Sequence, residues 1–302
     1  MSNIVQVDSI SLIHDMLGLE KPRHPLVSVI TIDDRVTNYD YGDTTFAFGF
    51  YQVALKDGIR GQIQYGRNTY DFQEGTMVFS KPGQVMSFST EEEQPKDKGW
   101  VLLFHPDLIR KSELGKHIDR YSFFDYDINE ALHLSDQEKS SLSELAEKIQ
   151  NECCQNMDRH TQKLIISNVE LMLDYCMRYY DRQFYVRTNL NQDLASQFER
   201  QLKSYFESQQ ALDQGLPTVK FLGEVMNMSP SYLSDMLKKE TGRTAQQHIQ
   251  DAIVDRAKTL LLATTDQVSQ VAYELGFEYP QHFSKMFKNH TGMSPGEYRK
   301  IQ

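Results

Sequence analysis

The amino-acid sequence predicts a multidomain α+β chain: an N-terminal all-β sandwich or small barrel, a pair of helices, and an all-α C-terminal domain built on a repeated helix, tight turn, helix unit. Three observations predict it. Short β-rich runs separated by turn signals crowd residues 25–104. Helical texture takes over from Asp107. A segment near the C-terminus aligns with an earlier copy of itself 50 residues upstream. At 302 residues the chain is long enough for two ordinary domains.

The barrel comes first. LVSVITI, TFAFGFYQVAL, GQIQYG, GTMVFS, QVMSFS and GWVLLF are rich in β-formers, and DG, YG, EG and PG pairs punctuate them. Several short strands with turns between them suggest a sandwich or small barrel. Inward positions of such strands, Phe48, Tyr51 and Tyr65, are candidates to line a ligand cavity, with plain core packing as the alternative. Ser135 and Glu138 have the spacing of a capping box, which predicts a helix near 136–151. A second helix is expected from Asp158 to Tyr180. Its apolar seam, Ile165, Val169, Met172, Cys176 and Tyr179, steps by 4, 3, 4, 3. That seam fits either packing on its own β domain or a dimer through helices 136–180. Residues 184–192 lack clear periodicity and read as a linker between a 1–183 domain and a 193–302 domain. Leu194, Phe198, Leu202 and Phe206 then share a helix face, and 209–217 reads as a loop.

The repeat carries the most information. SPSYLSDMLKKETG (229–242) and YPQHFSKMFKNHTG (279–292) match without a gap at Pro230/Pro280, Ser234/Ser284, Met236/Met286, Lys238/Lys288, Thr241/Thr291 and Gly242/Gly292. Upstream the offset drops to 49, aligning Gly223 with Ala272 and Asn227 with Gly276. Gly223 and Ala272 are small enough for a second helix to cross closely. Asn and Gly tolerate positive φ and can end the first helix. Ser229 is a good N-cap, and Pro230 and Pro280 fit a first helical turn. Leu233, Met236, Leu237, Phe283, Met286 and Phe287 face inward. The outward residues are Ser231, Tyr232, Ser234, Asp235 and Lys238 in one copy and Gln281, His282, Lys285 and Lys288 in the other. Gln can pair with adenine, and Lys with guanine or phosphate, so these are the residue types of a helix lying in a major groove. A helix over 244–262, about 28 Å long, would join the copies. Successive major-groove faces lie about 34 Å apart.

Composition bounds the rest. Net charge is −10, unevenly spread: residues 191–302 hold 12 Lys+Arg against 13 Asp+Glu, net −1, and 1–190 hold 20 against 29, net −9. No apolar run approaches the ~18 residues of a membrane span. MSNIVQVDSISLIHDMLG has no basic stretch ahead of its apolar residues, so no secretory signal is expected. Cys153, Cys154 and Cys176 form neither a disulfide framework nor a CxxC site, which fits a reducing cytoplasm. No His lies between His24 and His105, and His282 and His290 are eight apart, so no metal is expected. There is no P-loop, GxGxxG or nucleophile elbow. The expectation is a non-enzyme without cofactor.

On these residues, 193–302 resembles the DNA-binding domain of the AraC/XylS family of bacterial transcription regulators. SPSYLSDMLKKETG, the connecting helix and VAYELGFEYPQHFSKMFKNHTGMSPGEYRK match its signature over about 80 residues. The resemblance implies seven helices with two helix-turn-helix units. It implies base-facing roles for Ser231, Tyr232, Ser234 and Asp235 in the first unit, and for Tyr279, Pro280, Gln281, His282 and Lys285 in the second. It suits Lys238, Lys239, Lys288 and Arg299 to phosphate contacts. Two departures stand out: Asp235 where some members carry a basic residue, and Ile253 where many have Arg. YDFQEGTMVFSKPGQVMSF and GWVLLFHPDL resemble the cupin-type sensor barrel of such regulators, followed by a dimerising helical pair. The implied partners are promoter DNA, RNA polymerase, a small-molecule effector and a second copy of the chain. The alternative is a ligand-binding or enzymatic cupin whose helical tail makes protein contacts.

Overall fold

The computed structural model describes residues 4–32, 45–57, 63–65, 68–70, 75–87, 98–127, 130–190, 194–208 and 210–300. They fall into two compact units, Met1–Gln183 and Phe184–Gln302. The chain is mixed α+β, with a β-sheet unit first and a helical unit second, as expected.

The N-terminal unit opens with β1 (Ile4–Val7) and α1 (Ile10–Met16), followed by β2 (Val27–Ile32), β3 (Thr45–Phe48), β4 (Tyr51–Asp57), β5 (Ile63–Tyr65), β6 (Asn68–Tyr70), β7 (Thr76–Ser80), β8 (Val85–Ser87) and β9 (Lys98–Phe104). Helices α2 (Pro106–Ile109) and α3 (Glu113–His117), two 3-10 turns and β10 (Leu132–His133) precede α4 (Asp136–Cys154) and α5 (Thr161–Leu190). Among the described residues the strands form sheets of three (β1-β3-β8), five (β10-β7-β4-β9-β2) and two (β5-β6), not one closed barrel.

Strand alternation divides the core. Ile30 and Leu103 of the five-stranded sheet meet Val7, Phe46 and Phe48 of the three-stranded one, with Ile10 and Phe50. The opposite face, Val53, Met77, Phe79, Leu102 and Phe104, is buried too. Helical segments supply part of its cover. The Phe79 ring lies 4.4 Å from Phe123, and the Trp100 indole N–H donates to the Ser143 hydroxyl of α4 at 3.1 Å. Tyr51 lies on this second face, its ring stacked on Phe104 at 4.9 Å and edge-on to Phe124 at 5.0 Å. That placement corrects its assignment to the inward face. Phe48 is buried in the intersheet core, and the Tyr65 side chain is outside the described residues.

Ser135 and Glu138 make the expected capping box: Ser135 N–H donates to the Glu138 carboxylate at 2.9 Å, and Glu138 N–H donates to the Ser135 hydroxyl at 3.3 Å. The α5 seam, Ile165, Val169, Met172, Cys176 and Tyr179, is buried within the single chain. It packs on its own unit, where Tyr180 stacks on Phe123 at 5.6 Å and Tyr121 donates to Asp174 at 2.8 Å. The seam is therefore spent inside the protomer. Among the described residues α5 exposes Leu164, Leu171 and Tyr185, 46 %, 45 % and 71 % accessible.

Residues 184–190 of the expected linker continue α5, where buried Phe184 gives the helix an apolar anchor beyond Tyr180. The C-terminal unit then runs α6 (Leu194–Glu207), α7 (Gln210–Gln214), α8 (Val219–Met226), α9 (Pro230–Thr241), α10 (Ala245–Ala263), α11 (Val268–Glu274), α12 (Pro280–Thr291) and α13 (Pro295–Arg299). That is the implied seven plus α7, a single turn inside the expected loop. It is too short to show periodicity and is held by buried Ala211. The buried face of α6 is Leu194, Phe198, Leu202 and Tyr205; Phe206, expected there, is half-buried.

Candidate nucleic-acid interface

Each half of the repeat folds from the same local rules. α8 ends at Asn227, whose φ of 54° is left-handed; α11 is followed by Gly276 with φ 93°. The hydrogen bonds that close the two turns correspond: Met228 N–H donates to the Gly223 carbonyl at 2.9 Å, and Phe277 N–H to the Ala272 carbonyl at 3.0 Å. A Cβ on Gly223 would stand 2.5 Å from the Met228 carbonyl oxygen, so the close crossing needs glycine there. Ser229 then caps α9, accepting from Tyr232 N–H at 3.3 Å, and Pro230 and Pro280 occupy first turns. α9 and α12 end alike, at Gly242 (φ 78°) and Gly292 (φ 79°). Thr241 and Thr291 each return a hydroxyl to the carbonyl four residues back at 2.8 Å.

Inside, α9 buries Leu233, Met236 and Leu237, and α12 buries Phe283 and Phe287. Between them α10 has 19 residues, about 28 Å at 1.5 Å per residue. Its inner face is the expected Ile249, Ile253, Ala257 and Leu260, all buried. Ile253 is thus core.

The outward faces differ between the copies. On α12, Gln281, His282, Lys285 and Lys288 are exposed. Tyr279, 47 % accessible, sets its ring edge-on to His282 at 5.5 Å, and Pro280 is half-buried. Asn289 is exposed four residues beyond Lys285; that i,i+4 step was the available signal for it. On α9, Ser231, Ser234 and Asp235 are half-buried, while Lys238 and Lys239 are exposed. Tyr232 does not face outward. It is 2 % accessible, with its ring edge-on to Phe184 at 5.2 Å, because an aromatic one residue before Leu233 can rotate into the same core.

Among the described residues Lys238, Lys285 and Lys288 form no salt bridge. Lys288 does help lower the Glu297 carboxyl, whose main stabiliser is the Ser294 backbone N–H it accepts. Arg299 is already engaged: its Nε donates to the Leu261 carbonyl at 3.1 Å, satisfying an end of α10. Its Nε therefore has a structural role beside the phosphate contact the resemblance implied.

The arrangement is a pair of helix-turn-helix units on one supporting helix, with a polar, cation-bearing face on the second helix of the second unit. Residues 222–301 match the helix-turn-helix domain family. Over 82 residues the chain is 35 % identical to the uncharacterized HTH-type transcriptional regulator YobQ of Bacillus subtilis, covering 27 % of this chain and 34 % of that protein. It is 27 % identical over 183 residues to the uncharacterized HTH-type transcriptional regulator YisR of the same organism, covering 55 % and 61 %. Among solved structures, the C-terminal domain of AraT, a response regulator from Geobacillus stearothermophilus, is 30 % identical. That match covers 35 % of this chain and 85 % of the other, with a TM-score of 0.31. The family match lies wholly within the C-terminal unit. The chain spans about a third of the first of these curated relatives and three fifths of the second.

Proposed function

We propose that the chain is a sequence-specific DNA-binding transcriptional activator, not an enzyme. A small-molecule effector held by a cupin-type sensor in residues 1–183 controls residues 193–302, and residues 184–192 connect them. The observation that carries this reading is the duplicated turn geometry with Gln281, His282 and Lys285 exposed on α12. Gln281 and Lys285 lie on one stripe and suit base edges; Lys238, Lys239 and Lys288 suit phosphates. Ser231 and Ser234 are the remaining base-edge candidates of the first unit, and α10 has the length to set the units near adjacent grooves.

The chain acts as a homodimer in the cytoplasm and engages RNA polymerase at the promoter. No helix among the described residues is long and apolar enough to cross a membrane. With the α5 seam buried, dimerisation uses a flanking face of the helix, where Leu164 and Leu171 are exposed one heptad apart. Effector control requires the ligand to bind two arrangements of the protein with different affinity.

The test is a mobility shift with full-length protein on its own promoter fragment against competitor DNA. Gln281→Ala and Lys285→Ala should each cost about 1–3 kcal/mol on the specific site. Equal loss on random DNA would reassign them to phosphate. No specific retardation of the wild-type chain, with or without metabolite extracts, would remove the regulatory reading.

A further inference from the structure

A cleft of about 430 Å³ runs along β2, an edge strand of the five-stranded sheet. That volume suits a small organic molecule. Its walls come from three places: the loop between α1 and β2, β2 itself, and the last turns of α4 with Gln150 and Cys154. The space between the two larger sheets is, by contrast, occupied by Phe46, Phe48 and Phe50.

Two features give the cleft a chemical preference. Leu19, Val27 and Val29 supply apolar wall. Lys21 and Arg23 supply charge, and both are exposed without an ion pair among the described residues. Glu20 is the one carboxylate on the lining, so the formal balance is one positive charge.

The cation-bearing loop is also pinned. His14 is 7 % accessible, and its Nδ1 meets the Glu20 carbonyl, which can only accept; Nδ1 therefore carries the proton. In the neutral ring Nε2 is then the acceptor, and the Ser28 hydroxyl of β2 lies 2.9 Å from it. A histidine that ties the start of the loop to the strand holds Lys21 and Arg23 beside the cleft before any ligand arrives. Less ordering then remains to be done on binding.

We propose that this cleft binds a small organic anion, its apolar body against β2 and its charged group held by Lys21 and Arg23. Only the link from this site to DNA binding rests on the regulatory reading above; the binding itself does not.

Cys154 provides a reporter. It is exposed and lines the cleft, whereas burial raises the Cys153 thiol to about 12 and also raises that of buried Cys176. Iodoacetamide at pH 8 should therefore add one label to the native full chain, at Cys154. Three probes are compared: 2-naphthoate, its neutral amide, and inorganic phosphate. We expect 2-naphthoate to slow the labelling saturably, about tenfold at ten times its calorimetric Kd. The amide and phosphate should leave the rate unchanged. The double variant Lys21→Ala, Arg23→Ala alters only exposed side chains, so it should keep its melting temperature and lose the protection. Labelling unaffected by millimolar 2-naphthoate, equal protection by the amide, or full protection in the double variant would each overturn the proposal. A mobility shift in the same ligand separates the two ideas. Protection with unchanged DNA binding leaves the site standing and removes its regulatory role.

Discussion

Replacing Gly276 by Ala is expected to unfold the C-terminal unit selectively. At φ 93° an L-residue is strained, and the added Cβ would stand 2.6 Å from the Gly215 carbonyl carbon and 2.8 Å from the Ala211 carbonyl oxygen. Both neighbours are backbone, so neither can rotate away. Left-handed strain costs about 1–2 kcal/mol and overpacking about 1–3. The stiffer unfolded chain returns about 0.4–1. The net is a loss of about 3 kcal/mol. With a urea slope of about 1.5 kcal/mol/M, the midpoint falls by about 2 M. Asn227 is the control, since it has the same turn role at φ 54°. Asn227→Gly exchanges strain for chain entropy and should move the midpoint little. The molecule supplies its own second probe. Trp100 is the single tryptophan and lies in the N-terminal unit, so its fluorescence follows that unit while circular dichroism at 222 nm follows both. The expected result is an early dichroism transition with the Trp100 transition unmoved. If Gly276→Ala unfolds like Asn227→Gly, the crowding against Gly215 is not real. If the Trp100 transition moves equally, the units do not fold separately.

Tyr232→Ala should cost about 3–5 kcal/mol by urea denaturation, as for other buried aromatics. Tyr232→Phe should leave the sequence preference of DNA selected from a random duplex pool unchanged, and a shifted preference would return Tyr232 to the reading face. Arg299→Ala should lower stability by about 1 kcal/mol. It should also leave the salt dependence of DNA binding unaltered, whereas loss of a phosphate contact would reduce the slope by about 1. Leu164→Glu combined with Leu171→Glu should turn a dimer into a monomer by light scattering with dichroism preserved. A dimer that survives both changes uses another face.

The C-terminal unit was legible because its signals are local and doubled. Asn227, Ser229, Pro230 and Gly242 each act within a turn, and their counterparts one repeat later make coincidence improbable. What failed there depended on neighbours outside the pattern. Tyr232 occupies a position that helical spacing leaves at the margin, and Phe184, 48 residues away, decides it. Arg299 looked like a phosphate ligand because its type fits; only tertiary folding brings the Leu261 carbonyl to its Nε. In the β unit, strand positions were readable and facing was not. β3 and β4 join through Gly49 and Phe50 but enter different sheets, so Phe48 lies in the intersheet core while Tyr51 lies on the far face of the five-stranded sheet. The heptad seam of α5 was visible, but periodicity reports an apolar stripe and not what covers it. Lys21 and Arg23 gave no motif; their significance arises from the buried His14 that ties their loop to β2.

The acidic chain and the proposed acidic ligand DNA are compatible because the relevant charges are local. Electrostatic reach at physiological salt is about 8 Å, so the net charge of −10 is felt mainly by surfaces that carry it. From Gln281 to Asn289 the exposed stripe of α12 contains two lysines and no carboxylate. Glu278 precedes that helix, and Glu297 lies on α13 close enough for Lys288 to lower its carboxyl. A phosphate approaching α12 therefore meets cations first. The same balance limits sequence-independent attraction, which grows with the number of phosphates neutralised. Binding must consequently draw on contacts that only correct bases provide. The expected signature is weak affinity for random duplexes and a large ratio of specific to non-specific binding, concentrated on Gln281 and Lys285. A basic domain of the same fold would bind random DNA more tightly and discriminate less. The near-neutral C-terminal third, which by itself argues against nucleic acid, is in this light a condition for selectivity.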